Sequence, residues 1–458
     1  MLTQVTDRRL IIALLAIGAL LKSAWLGRNE LSGDEPFTVF WATRPMAEFL
    51  EMLWTENNPP LYFLLIKAWI GCAPLEEAWL RVPSALFSIL TVWPLFLLGR
   101  ALGGRMMAVI TCLLFMLSNH QYAYAHEVRA YSLLLLLTVL AMWLVVRGPS
   151  RSTRLSTMML AAVFAAMAWT HFFAWLVIGL CCSCVLLLPG LREGRRRVLM
   201  ASLIAAAAFL PYTFIFFQRA GESMAQGTWV RPHGLEEIWH MVRRWSNQPV
   251  VTLMLLVPLV AVVVREKSTS LVLRFPLIWW LLPLIGLWLV QPWVPAYVDR
   301  YLLFASPGFY LAVGYGLTHV FDVPRAKVLA PALGVLAMLA TFTPWKRNDQ
   351  RPSLVAAQVK AWQSPSRAFP VLVRPFWYKT TLWAHMDRSR AVSPPWSQAW
   401  SERYNDATEA QGVEEASEMI VVYMAAPQED TARPVFAGFR WVDERQADPL
   451  VRVARYMR

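Results

Sequence analysis

HEVRAYSLLLLLTVLAMWLVVR, residues 126–147, decides how this chain is built. Its apolar body, 129–146, approaches the roughly 20 residues that a helix needs to cross a hydrocarbon core. Charge stands only at the ends, with Glu127 and Arg129 before the run and Arg147 after it. The stretches 10–26 and 275–290 are built in the same way, and a soluble core has no need of such runs repeatedly. Of the 458 residues 57% are hydrophobic and only 16% charged, against roughly 25% charged in soluble domains. The formal charge of +13 does not point to nucleic acid, because the basic residues lie in short clusters between apolar runs and not on one amphipathic face or in a tail. Five cysteines all fall inside apolar stretches without CxxC spacing, as small buried hydrophobes do. Arg8 and Arg9 precede a first apolar run that continues to residue 26 without a small-x-small cleavage site, which reads as a retained signal anchor.

Orientation follows from the short connections, since Lys and Arg are retained on the cytoplasmic side. With the N-terminus inside, alternate loops carry Arg100 and Arg105; Arg147, Arg151 and Arg154; Arg192 and 195–197; Arg265, Lys267 and Arg274; Arg325 and Lys327. The intervening spans, 10–26, 81–99, 106–122, 130–146, 155–170, 172–188, 198–217, 250–264, 275–290, 301–319 and 328–344, make about eleven crossings and put the C-terminal tail outside. Residues 60–73 are apolar but too short for a crossing, and counting them as one would turn the Arg147 and 195–197 clusters outward. They are therefore expected on the outer face with 45–55, inside a long first outer loop, 27–80. Long ordered loops of this kind are often functional. The expected fold is thus an all-α polytopic membrane protein, residues 1–344, followed by a small non-cytoplasmic α/β domain, 345–458. In that tail the runs 371–378, 419–423 and 436–442 read as strands and 353–362 as a helix. No repeat, Gly-rich nucleotide loop or HExxH motif is present.

Ionisable groups at span ends are expensive and tend to mark function, and here they gather on the expected outer side. In Ser32-Gly33-Asp34-Glu35-Pro36-Phe37, Pro36 suits the first turn of a helix and biases Glu35 toward an extended conformation. Helix capping would account for Asp34 and Glu35 equally well. His126, Glu127, Arg129 and Tyr131 stand at one span end, His171 between Thr170 and Phe172, and Asp299, Arg300 and Tyr301 at another. Each set has a bland account as an ion pair or interfacial anchor; their common side is what lifts them above it. Outside the cytoplasm nucleotide sugars are not at hand, so a sugar transferred there must arrive on a membrane-crossing carrier such as a polyprenyl phosphate. The leaving lipid phosphate would need cations, for which Arg129 and Arg300 suit. The acceptor hydroxyl would need a carboxylate base, for which Asp34 leads.

SGDEPF, NNPPLYF, LRVPSALFS, HEVRAYSLLLLL, WTHFFAW, FLPY and DRYLLFASP, in this order, resemble the GT-C class of integral membrane glycosyltransferases. The likeness is to the protein O-mannosyltransferases, the bacterial aminoarabinose transferase and the bacterial polyprenyl-phosphate-sugar branch. It implies outer-face juxtamembrane helices, an enzyme of the bacterial inner membrane, and a hydroxyl acceptor on lipid A, an envelope glycan or protein. It carries the catalytic base onto Asp34 with Glu35 beside it, and lipid-phosphate contact onto Arg300. Asn58, Glu127, Arg129, Tyr131, Asp299 and Tyr301 become cavity residues. Asn58, Pro59 and Phe37 stand near places that are basic in some relatives, so Lys67 or Arg231 would supply that charge. Some relatives use a divalent metal, for which Glu127 and His171 would be ligands without making up a site. The competing expectations are a flippase or transporter, or a polymerase, of lipid-linked sugars. Transporters commonly show repeated halves and broken mid-membrane helices, which this sequence does not.

Overall fold

A computed structural model describes residues 2–56, 58–148, 153–226, 232–266, 270–294, 296–363, 371–374, 378–386, 388, 417–424 and 438–458. In chain order the helices are α1 (Leu2–Ser23), α2 (Glu35–Thr43), α3 (Met46–Thr55), α4 (Leu61–Ile70), α5 (Glu77–Met116), α6 (Asn119–Ala125), α7 (Tyr131–Arg147), α8 (Thr153–Ala168), α9 (Ala174–Leu187) and α10 (Arg195–Gln226). There follow α11 (Glu236–Trp245), α12 (Pro249–Glu266), α13 (Leu271–Val290), α14 (Ser306–His319), α15 (Pro324–Thr341) and α16 (Pro352–Trp362), then β1 (Val371–Arg374), α17 (Tyr378–Met386), β2 (Glu418–Met424), β3 (Arg440–Asp448) and β4 (Val451–Met457). A short 3-10 helix, Asp299–Ala305, leads into α14. The chain forms two compact units: Met1–Leu26 with Glu51–Leu65 and Arg81–Trp345, and Gly27–Leu50 with Ile66–Leu80 and Lys346–Arg458.

The first unit is helical, and the protein is a multi-pass membrane protein. A helix stands at each of the expected spans: α1, the two limbs of α5, α7 to α10 and α12 to α15. Among the described residues five stretches, Glu77–Met116, Pro189–Arg219, Pro249–Glu266, Leu271–Val290 and Pro324–Thr341, are long and apolar enough to cross a bilayer. The α5 helix breaks at Gly103 and Gly104, the latter at φ 89° and ψ −176°, a conformation open to glycine and strained for other residues. The break lies where the charge pattern placed a basic loop. There Arg100 and Arg105 both donate from Nε to the Asp7 carboxylate, at 3.3 and 2.7 Å. Arg197 closes the end of α7: its Nη2 reaches Leu144 O at 2.7 Å and its Nη1 reaches Gly148 O at 2.9 Å, satisfying carbonyls that the helix leaves open. At the centre α14 is buried from Ser306 to Thr318. A Cβ on Gly316 would stand 2.6 Å from Leu259 Cα and one on Gly308 2.8 Å from Trp280 N, so α14 packs backbone to backbone against α12 and α13, as small residues allow in membranes.

The helix α4 has 10 residues and rises about 15 Å at 1.5 Å per residue, half of what a crossing requires; α2 and α3, with 9 and 10 residues, are as short.

The second unit joins parts of the long loop to the tail. Its sheet has the order β1-β2-β4-β3, with β1 parallel to β2 and the other pairs antiparallel. Val355, Val359, Tyr378, Leu382, Ile420, Val422 and Val453 pack together, while Leu372, Met419, Val421, Tyr423, Ala454 and Tyr456 form a separate cluster. The central strand β2 is accordingly buried from Glu418 to Tyr423, and β3, rich in Arg, Asp and Glu, is the exposed edge that charge protects. The expected helix 353–362 is α16 and the run 419–423 lies in β2. The run 371–378 ends as a strand at Arg374, with 375–377 outside the described residues and Tyr378 opening α17. Of 436–442, the first two residues lie outside the described ones and the strand starts at Arg440. The last strand, β4, goes unread in the sequence because its Arg452 and Arg455 hide the apolar alternation.

Loop and tail are tied by capping. The Glu30 carboxylate accepts from Ser353 N at 2.8 Å and from Ser353 Oγ at 2.7 Å at the start of α16. Asn29 Oδ1 accepts from Asn348 N at 3.1 Å, the His385 ring bonds to Leu31 O at 2.9 Å, and Arg388 pairs with Glu77 at 2.6 Å. Phe40 meets Trp383 edge-on at 5.1 Å.

Candidate functional site

The SGDEPF turn belongs to the loop–tail unit. Gly33 has φ +59°, which lets Glu35 N return to Ser32 O at 3.3 Å. Pro36 falls in the first turn, where its missing N–H costs nothing. Glu35, expected to be extended, is instead the first residue of α2 and only 4% exposed; packing of α2 outweighs the steric bias that a following proline imposes. Its Oε2 accepts from Ser32 N at 3.4 Å. Asp34 is half-buried at the N-cap position, φ −86° and ψ −9°, and its side chain makes no cap hydrogen bond. The helical φ/ψ of Asp34 turns the carboxylate out of the geometry that capping uses.

Lys67 closes the other end of α2. Its ammonium donates to Arg44 O at 2.5 Å and Ala42 O at 3.3 Å and lies 4.7 Å from the Phe49 ring centroid; burial holds its pKa below the usual lysine value. Two of its three donors thus serve carbonyls of the helix end. Asn58, in the helical unit, donates to Glu56 Oε1 at 2.9 Å. Arg231 lies outside the described residues.

The remaining expected residues come together in the helical unit. Tyr131 opens α7, His171 sits between α8 and α9, and Asp299, Arg300 and Tyr301 begin the 3-10 helix. Ring contacts join them: Tyr131 to His171 at 5.8 Å, His171 to Tyr301 at 5.9 Å, and Tyr301 stacked on Phe173 at 4.4 Å. His171 Nδ1 accepts from Phe173 N at 3.1 Å, so the ring carries its proton on Nε2. Burial first, then the cations Arg129 and Arg300, push the His171 pKa down to about 3, which keeps the ring neutral. Both guanidinium groups therefore act on one imidazole. Tyr124 is held protonated by burial first, then by Asp299, Glu127 and Tyr131, with Arg300 opposing. Glu127, Arg129, Tyr131, Asp299, Arg300 and Tyr301 thus gather near Tyr124 and His171, with two cations and two carboxylates among them. The Arg129 guanidinium lies 5.9 Å from the Phe63 ring centroid and that of Arg300 5.4 Å from Tyr301.

His126, singled out in the sequence, bonds through Nε2 to Lys22 O at 2.6 Å. Sequence reading missed two residues beside it: His120 Nε2 stands 3.9 Å from Asp299 Oδ2, and Gln121 Nε2 donates to Ser306 Oγ at 2.7 Å. The signal was available in Ser118-Asn119-His120-Gln121, a polar break between an apolar run and HEVRAY. Among the described residues no group of three His, Cys, Asp or Glu side chains is gathered to hold a metal ion. Glu127 and His171 do not complete one.

No family model matches the chain, and no curated protein matches it by sequence. Solved structures do match in fold. The chain is similar to ArnT from Cupriavidus metallidurans bound to undecaprenyl phosphate, covering 97% of each chain at 12% identity and a TM-score of 0.60. It is similar to the Archaeoglobus fulgidus oligosaccharyltransferase in complex with Zn and sulfate, over 89% of this chain and 67% of that one at 11% identity and a TM-score of 0.53. The arabinofuranosyltransferase AftD from Mycobacteria matches over 80% of this chain and 29% of its own, at 18% identity and a TM-score of 0.50. The fold is that of the GT-C class of integral membrane glycosyltransferases. Within that class the match to ArnT runs end to end, tail included.

Proposed function

We propose that this chain is an enzyme that moves a sugar from a polyprenyl-phosphate donor to a hydroxyl of a glycan, lipid or protein on the non-cytoplasmic face of a bacterial inner membrane. The observation that carries the reading is a fold shared over 97% of both chains with a structure bound to undecaprenyl phosphate, and Arg129 and Arg300, whose charges are both felt at His171, supply cations to it. Two guanidinium groups suit the oxygens of a phosphate monoester.

Asp34 takes the proton from the acceptor hydroxyl as that oxygen bonds to the anomeric carbon. The bond from that carbon to the phosphate oxygen breaks, and its electron pair leaves with the lipid phosphate. A phosphate leaves without protonation, so one carboxylate suffices where a glycosidase needs two. Arg129 and Arg300 stabilise the negative charge that grows on the leaving group. A single displacement inverts the anomeric carbon. Glu35 braces the Asp34 turn through Ser32, and Lys67, occupied at the end of α2, holds that helix. Support for Asp34 as base is its place at the start of α2 in the SGDEPF turn, the acidic position of the first outer loop that the GT-C resemblance marks as the base. The N-terminus is assigned to the cytoplasm and the tail to the outer side by the basic loops at Arg100, Arg105 and Arg147.

Lipid extracts of cells that lack the chain test this reading. Mass spectrometry is expected to find a polyprenyl-phosphate sugar accumulating and one envelope glycan, lipid or protein short of that sugar. An unchanged pool of lipid-linked sugars would overturn it.

A further inference from the structure

A small cavity of about 40 Å³ lies at the Ser32–Gly33 turn, inside the loop–tail unit. One water molecule needs roughly 10–15 Å³ of such space, so one to a few waters fit. The walls come from three parts of the chain that only the fold brings together: the turn itself, the segment around Gln350, and the tail, from which Thr381 and Asp448 contribute. A Cβ on Gly33 would meet no atom within 4 Å among the described residues, so packing does not hold the turn at that point.

Water settles in such a space where polar groups receive it. Thr381 is one of these: it is 1% exposed, and its buried Oγ1 has no hydrogen-bond partner among the described residues. Other helical threonines of this chain spend the hydroxyl on the carbonyl four residues back. Thr91 donates to Phe87 O at 2.8 Å, Thr170 to Ala166 O at 2.6 Å and Thr252 to Gln248 O at 2.9 Å. Thr381 stands in the first turn of α17, which begins at Tyr378, so the carbonyl four residues back lies ahead of the helix. Asp448, 4% exposed, is the second group: Oδ1 accepts from Leu450 N at 3.0 Å and Oδ2 accepts from Arg351 N. Each of its oxygens keeps a lone pair for a further donor. A hydroxyl that both donates and accepts and a carboxylate that only accepts are jointly satisfied by water.

We infer that ordered water in this cavity links Thr381 and Asp448 to the Ser32–Gly33 turn, which makes Thr381 a positioning residue for Asp34 and the tail a part of the transfer site. The inference rests on the proposed role of Asp34 as base. Asp34 follows Gly33 directly in the chain, and a glycine at φ +59° is a joint with little stiffness of its own. A base displaced by about 1 Å can lose a hundredfold in rate, so the turn needs an external hold.

The test uses the full chain in lipid nanodiscs. The Glu35 amide closes the turn onto Ser32 O at 3.3 Å, and its hydrogen-exchange protection, taken relative to the intrinsic rate, reports how firmly the turn is held. Thr381→Val keeps the shape and removes the hydroxyl; it should lower that protection roughly tenfold and leave the amides of α16 as they are. Thr381→Ser, which keeps the hydroxyl, should preserve it. In sugar transfer, Thr381→Val should lower kcat about tenfold with both KM values in place, and Thr381→Ser should match the unaltered chain. A cryo-EM map that resolves ordered water should show it within hydrogen-bond distance of Thr381 Oγ1. Equal Glu35 protection in Thr381→Val and the unaltered chain overturns the inference, as does an unchanged kcat or a map without water at Thr381. An unaltered chain that transfers no sugar sinks the proposed reaction instead, while protection and map still decide whether water holds the turn. If Thr381→Val does not fold, the map of the unaltered chain decides.

Discussion

Two aspartates open helical segments in this molecule, and they are used differently. Asp299 in the helical unit accepts from Arg300 N at 2.9 Å and faces His120 at 3.9 Å. Asp34 in the loop–tail unit stands at the start of α2 and makes no cap hydrogen bond. A carboxylate that serves its own backbone and a neighbouring ring is held as structure, whereas the Asp34 carboxylate is not engaged in capping the helix it starts. Under the proposed function Asp34 is the base, and Asp299 is a positioning residue that steadies the backbone of Arg300.

The sharpest way to break this comparison is to neutralise each in turn. Asp34→Asn is expected to lower the rate of sugar transfer by about 10²–10⁴-fold, the contribution of a positioned base, while Asp299→Asn stays within about tenfold, the worth of a hydrogen bond or two. Initial rates with a polyprenyl-phosphate sugar check both, and equal losses would erase the distinction. Arg300→Ala should raise the KM for the donor by roughly 10–100-fold, from loss of a charge-assisted contact, and leave the acceptor KM in place. A shift in the acceptor KM alone would contradict its assignment to phosphate.

Smaller effects probe how the loop–tail unit is held. Glu30→Ala removes the carboxylate that caps α16 through Ser353 and should cost about 1 kcal/mol, seen as a lower thermal midpoint in nanodiscs with an unchanged midpoint for Glu48→Ala. Burial, with Arg388 adding to it, holds the His385 pKa below its usual 6.5. The unfolded chain then binds more protons than the folded one as pH falls below 6.5, so this residue's contribution is present above that pH and lost beneath it. Protection of the α17 amides, taken relative to the intrinsic exchange rate at each pH, should fall as pH drops from 7.5 to about 5.5, and His385→Gln should flatten that dependence.

What could be read beforehand followed the reach of each physical signal. The hydropathy of 129–146 is local, and the helix Tyr131–Arg147 falls on it; the basic loop at Arg100 and Arg105 marks the break at Gly103 and Gly104. Asp34, Arg129, His171 and Arg300 stood out because charge at a span end is costly. The partnership of Glu30 with Ser353, or of Leu31 with His385, joins residues more than 300 positions apart. No periodicity encodes such a contact, which is why the long loop read as an appendage of the membrane part. His120 and Lys22 were passed over for a related reason: each looks like one polar residue at the edge of an apolar run until the fold packs them around Asp299 and Tyr122.

The central claim is that the chain breaks the bond between sugar and lipid phosphate. Proteoliposomes carrying the purified chain, a labelled polyprenyl-phosphate sugar in the leaflet facing the tail and a cell-envelope glycolipid extract measure this directly. The predicted result is labelled sugar on the acceptor together with an equal amount of free polyprenyl phosphate, neither appearing with Asp34→Asn. Donor that stays intact, whether left in place or carried to the other leaflet, would contradict the account.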